Sequence, residues 1–374
     1  MSSPRSQEAR GQLAKKRNKI ALMVGTKKGA FVFTTDSGRK RWKSSGPYFR
    51  GREIYHVNYD GRNGTMLASV ISNHWGPTVA ISKDLGATWT ESKTPPKFPK
   101  GSGLSVERVW HIEPGLEDEP GVVYAGVAPA CLFRSEDGGR SWEANGALMN
   151  HKTRKKWNPG AGGLCLHTIL LYPHKPKRMH IAISAVGTLM TDDDGRSWKF
   201  LNKNVLADFQ PDKYPEYGQC VHKLAVNPSR PDVIFHQNHC GVYRSDDAGE
   251  NWVDIRNNLP SRFGFPVAAD FNDPRRAYVV PLEGDFARVP PNGHFAVWGT
   301  DNSGKEWFKL DDGLPTKSYF TVLRDGMTTD KEDPCGVYLG TTTGQLYSSP
   351  NHGNHWSMVA DGLPPILSVS VSAI

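Results

Sequence analysis

One eight-residue pattern, Ser135-Glu136-Asp137-Gly138-Gly139-Arg140-Ser141-Trp142, constrains this chain more than anything else in it. The same order of a small hydroxyl residue, Asp, Gly, a second hydroxyl and Trp returns from Ser82 to Trp89. Near copies run from Thr191 to Trp198, Ser245 to Trp252, Thr300 to Trp307 and Ser349 to Trp356, with a degenerate first copy at Asp36, Gly38 and Trp42. Each copy reads as a tight hairpin turn. The Asp carboxylate accepts hydrogen bonds from turn amides, Gly takes a backbone geometry other residues resist, and Trp packs its large face on its neighbours.

The Trp positions 42, 89, 142, 198, 252, 307 and 356 are separated by 47, 53, 56, 54, 55 and 49 residues. Each interval holds four short strands, the size of one propeller blade. The apolar stretches Ile20 to Val24 and Ala30 to Thr34 lead into the first copy without an inner strand before them, and Ile366 to Ile374 is a lone strand after the last Trp. Joined, they complete one blade and remove the open edges of the array. The expectation is an all-β, seven-bladed propeller of four-stranded blades over residues 19–374, its last blade shared by residues 19–45 and 365–374, after a disordered basic tail at residues 1–18.

The repeated turn resembles the Asp box, or BNR repeat, of sialidases, two-propeller xyloglucanases, sortilin-type receptors and propeller-type photosystem II assembly factors. That resemblance implies architecture more than activity, because proteins bearing the turn do unrelated things. Sialidase chemistry itself is not expected. Phe49-Arg50-Gly51-Arg52-Glu53 is the nearest approach to the Arg-Ile-Pro motif of that family and lacks it, and sialidases have six blades.

The 46 basic and 38 acidic residues leave a formal charge of +8, part of it in the tail that carries Lys15, Lys16 and Arg17. No apolar run approaches the ~18 residues of a membrane span, and the N-terminus lacks the apolar core of a signal peptide, so a cytoplasmic protein without membrane contact is expected. The five cysteines, 131, 165, 220, 240 and 335, are odd in number and show no C-x-x-C spacing, which argues against a disulfide framework. The basic clusters lack interleaved aromatic platforms, so nucleic acid is not an expected partner.

The connections from each Trp-bearing strand to the next blade are unequal. Those after Trp252, Trp307 and Trp356 read as compact and share Leu-Pro; those after Trp89, Trp142 and Trp198 swell to residues 91–108, 144–164 and 200–218. Long ordered loops carry function more often than short ones, so the face opposite the repeated turns is expected to hold the site.

Aligned on their inner strands, the repeats show His111, His167 and His222 each nine residues before a Pro (Pro120, Pro176 and Pro231), with His56 at the matching place in its own blade. Inner strands line the axial channel, so these four are candidate ligands for a transition metal, Fe, Cu or Zn. A His at a strand start also serves as a hydrogen-bonding link to the next blade, which is the alternative. His74 and His239 occupy matching loops between second and third strands and are candidate rim ligands or acid–base groups. Glu283, in the expanded loop of the fifth blade, or its neighbour Asp285 is a candidate general base or orienting carboxylate. A metal at a propeller axis resembles the four-histidine iron of carotenoid oxygenases and the copper proteins of the selenium-binding, methanethiol oxidase type.

The cluster Arg154, Lys155, Lys156 and Trp157 is the candidate clamp for an anionic small-molecule substrate. The leading expectation is therefore a metal-dependent oxidoreductase or hydrolase. A glycoside hydrolase or lyase, and a non-catalytic scaffold binding a protein partner through its basic loops, stand as alternatives.

Overall fold

The computed structural model describes residues 19–72 and 76–374. The expected tail at residues 1–18 and the loop residue His74 lie outside them. Seven antiparallel four-stranded sheets form the blades of a propeller. From inner to outer edge, blade one is Glu53–Asp60, Thr65–Ser72, Gly76–Ser82 and Thr90–Glu91. Blade two runs from Arg108–Pro114 to Glu143–Ala144, blade three from Leu166–Leu171 to Lys199–Phe200, and blade four from Val221–Asn227 to Val253–Asp254. Blade five runs from Phe263–Ala269 to Phe308–Leu310 and blade six from Met327–Thr329 to Ser357–Ala360.

Blade seven joins the two ends of the chain. Ile366–Ala373 is its innermost strand and pairs antiparallel with Ile20–Thr26, with Ile20 opposite Ala373 and Val24 opposite Val369. Gly29–Thr35 and Lys43–Tyr48 complete that sheet.

Strands enclosed between neighbouring blades are buried on both faces and read as continuous apolar runs: every residue of Val123–Ala128 and of Met179–Ile183 is buried. Outer strands are short, and Thr90–Glu91 and Val253–Asp254 are exposed. The core lies between sheets rather than at the axis. One cluster joins Tyr124 and Leu132 of blade two to Ile169, Ile181 and Leu189 of blade three; another joins Tyr278 and Val280 of blade five to Leu339 and Tyr347 of blade six.

The repeated turns close each third strand onto the outer one. Asp137 accepts from the Arg140 and Ser141 amides and from the Ser135 and Ser141 hydroxyls. Gly139, at φ 88°, takes the left-handed backbone that the turn requires. The Trp that follows reaches back one blade: Trp252 Nε1–H donates to Leu201 O at 2.8 Å, Trp307 to Ile255 O at 2.6 Å and Trp356 to Leu310 O at 3.2 Å. Each of these three rings is 1% exposed, so turn and staple together lock successive blades.

Candidate functional site

In a four-stranded meander the first-to-second and third-to-outer turns share one face. The second-to-third hairpins and the entries to the inner strands share the other. A cavity of about 410 Å³ opens on that second face at the mouth of the channel. Inner-strand entries contribute Tyr55, Trp110, Cys220, His222, Phe263 and Phe265, and second-to-third hairpins contribute Ala185, His239 and Asp285. Two of the three long connections border it, through Gly160 to Gly162 and through Phe209; no residue of 91–108 does. The connection after Trp307 is not compact. It spans residues 311–326 without a strand and delivers Leu323, Arg324 and Asp325 to the cavity.

The four inner-strand histidines do not meet at one point. Three of them link their blade to the next. His56 Nδ1 accepts from the Ile112 amide at 3.3 Å, His167 Nε2–H donates to Val221 O at 3.2 Å, and His222 Nδ1–H donates to Gly264 O at 2.5 Å. The second nitrogen of His167 faces the Thr168 hydroxyl at 3.0 Å, so both ring nitrogens are engaged, and among the described residues His167 joins neither group of candidate metal ligands. Burial holds its pKa well below the ordinary histidine value, and the same cause holds that of His222 well below it.

The remaining ligand atoms fall into two groups, each within 4.8 Å. The first is Cys220, His222 and His239. His222 Nε2 faces Cys220 Sγ at 3.6 Å, and the His239 amide donates to Cys220 O at 3.0 Å, which ties the blade-four hairpin to the inner-strand entry. Phe209 and Phe263 flank His239 at ring separations of 5.3 and 5.1 Å. Phe209 is held there by its neighbour Asp208, which accepts from Cys240 Sγ at 3.1 Å and from Arg262 at 2.5 Å. Burial raises the Cys220 thiol, and Arg324 opposes that rise.

The second group, His56, His111 and Asp325, is buried throughout. The rings of His56 and His111 lie 4.4 Å apart, and His111 Nδ1 is 3.8 Å from Asp325 Oδ1. Lys223 is ion-paired to Asp325. Burial lowers His56 to about 3 and His111 to about 4, while the Lys223 and histidine charges hold Asp325 far below the usual carboxylate range. Glu113 Oε2, 3.4 Å from His111 Nε2, is pushed up to about 7 by burial.

Several candidates take other places. Glu283 is exposed and accepts from the Asn292 amide at 2.9 Å, outside the cavity. Its neighbour Asp285 is the carboxylate beside His239, at 3.9 Å from Nε2. Trp157 is a core residue, 6% exposed, with Nε1–H donated to Thr153 Oγ1. Arg154 stacks on that ring at 4.9 Å and donates to Ala130 O, so it anchors the loop, while Lys155 and Lys156 remain exposed away from the cavity lining.

Asp325 had a sequence signal: it lies nine residues before Pro334, the spacing that marks the histidines, and Phe265 lies nine before Pro274. Arg324 and Arg288 had none, because their value comes from the connection and hairpin that carry them.

No protein-family model matches the chain. A xyloglucanase, Xgh74A of Acetivibrio thermocellus, is 27% identical over 149 residues, which is 36% of this chain and 17% of that protein. The chain thus spans less than a fifth of the curated relative it matches. Among solved structures, an ancestral GH74 enzyme superposes with a TM-score of 0.59 at 17% identity, covering 82% of this chain and 38% of the other. YCF48 bound to D1 peptide superposes at 0.55 and 15% identity, covering 89% and 90%. At these identities the likeness concerns the fold alone, which a GH74 enzyme and YCF48 share.

Proposed function

We propose that the chain is a metal-dependent enzyme acting on a small molecule at the channel mouth, with Cys220, His222 and His239 as ligands. The observation that carries this reading is the tautomer of His222. Its Nδ1–H is committed to Gly264 O, which leaves the Nε2 lone pair directed at Cys220 Sγ. A ligand His held by a backbone carbonyl through its other nitrogen is the usual arrangement around a metal. Three protein ligands on a cavity wall leave a coordination position for substrate or water, and a thiolate–imidazole set suits zinc or copper better than magnesium or calcium. A bound ion there would polarise the substrate or acidify water. Asp285, beside His239, is the nearest carboxylate to orient that ring or to take a proton.

The His56–His111–Asp325 group suits a metal less well. Lys223 already neutralises Asp325, and His56 Nδ1 is occupied by the Ile112 amide. It reads as a polar network that holds Asp325, part of the cavity lining, against the inner strands of blades one and two.

Untagged protein is expected to bind one equivalent of Co²⁺ with the intense near-ultraviolet thiolate-to-metal band. Cys220→Ser should abolish that band and His222→Ala should weaken binding at least about tenfold. Absence of stoichiometric binding, or a band that survives Cys220→Ser, would sink the proposal.

The partial match to a xyloglucanase supports a second reading, a glycoside hydrolase. That chemistry needs a carboxylate pair, one member protonated. Among the described residues the carboxyl held up by its surroundings is Glu113, which faces His111 and is not part of the cavity lining. Turnover of an oligosaccharide panel by metal-free protein would favour this second reading over the first.

A further inference from the structure

The cavity lining carries two arginines, Arg324 and Arg288, beside the carboxylates Asp285 and Asp325. Arg324 is half-buried, and its Nε–H donates to His222 O at 3.2 Å. Its guanidinium stacks on Trp110 at 5.3 Å and on Phe265 at 5.9 Å. Arg288 also lies over Phe265, at 5.6 Å, with its Nε–H donated to Asp285 O at 2.9 Å. Among the described residues neither guanidinium has a carboxylate within 4.0 Å, whereas Lys223 in the channel below is paired to Asp325.

A half-buried guanidinium without an anion is costly unless something supplies one. Trp110, 5% exposed, contributes its ring to the cavity lining. Around these donors the walls are flat and apolar: Tyr55 packs on Trp110 at 4.2 Å, and Phe263 on Phe265 at 5.3 Å. A volume of about 410 Å³ suits a small molecule rather than a polymer.

We propose that this cavity binds a small planar molecule bearing a carboxylate or phosphate, its oxyanion between Arg324 and Arg288 and its flat body against Trp110, Phe263 and Phe265. The site names the substrate class for the enzyme reading above, on which its catalytic meaning rests. Binding itself needs none of the three metal ligands.

Chelator-treated protein titrated with benzoate, phenyl phosphate and neutral benzamide, followed by tryptophan fluorescence and calorimetry, tests it. Saturable binding of at least one anion is expected, with benzamide at least about tenfold weaker. The stronger anion of the two identifies the native oxyanion class. Arg288→Met, at an exposed position, and Arg324→Met should each weaken the anion by about tenfold while leaving benzamide affinity unchanged. Cys220→Ser should keep anion binding while losing Co²⁺, so the two proposals fail separately. No saturable binding of either anion, equal affinity for benzamide, or an Arg288→Met protein that melts like the parent and binds anions as tightly would overturn the inference.

Discussion

Half-buried Glu113 and the buried channel histidines are both held toward their neutral forms, which moves their pKa values in opposite directions. For Glu113 the folded-state pKa is raised to about 7, so its contribution is present below the unfolded carboxylate value of 4.5 and is lost as pH rises through 7. For His56 and His111, lowered to about 3 and 4, stability is present above the unfolded value of 6.5 and is lost as pH falls. Glu113→Gln should therefore leave stability at pH 5 nearly unchanged and raise it at pH 8. The gain should be about 1–2 kcal/mol, less than the full shift implies because the side chain is 33% open to the channel. Denaturant midpoints at the two pH values check this, and an equal change at both would contradict it. These residues also mark the limit of sequence reading. The His–Pro spacing located the inner strands and their inward positions, and it places Phe265 where blade five would carry its histidine; Asp325 holds the same register as a carboxylate, so a pattern of histidines does not point to it. Which nitrogen of His222 is free, and that Cys220 meets His239, follow from a hairpin folding over a strand entry and have no linear trace.

At the scale of the element, the repeated turn and its Trp form a latch between blades. Trp307, 1% exposed, fills the space between blades four and five and donates to Ile255 O. Trp307→Ala should cost about 3–5 kcal/mol, measured by chemical denaturation, while anion binding at the channel mouth on the opposite face persists. Loss of binding without loss of stability would show that the two faces are coupled. This level of organisation was legible in advance, because Trp spacing counts blades and the Asp–Gly turn chemistry is local. Connections were less so. Leu314-Pro315 reads as the end of a short link, yet the chain continues to Asp325 before entering the sheet, since a residue pattern records turns more faithfully than the distance still to be crossed.

For the whole molecule, the decisive contact is the pairing of Ile366–Ala373 with Ile20–Thr26, whose seven residues are all buried. Ending the chain before Ile366 should expose that strand as an open apolar edge. Size-exclusion chromatography of the shortened protein should show aggregation, and a monodisperse monomer with parental melting would refute the role given to the closing strand. The same pairing sets a clock on biosynthesis. A ribosome delivers Ile20–Thr26 early and its partner some 340 residues later, at roughly 5–20 residues per second, so the first strand waits tens of seconds for the last. Through that interval the growing chain is an open spiral of blades, and Ile20–Thr26, buried throughout in the closed ring, is an edge that a chaperone would have to shield.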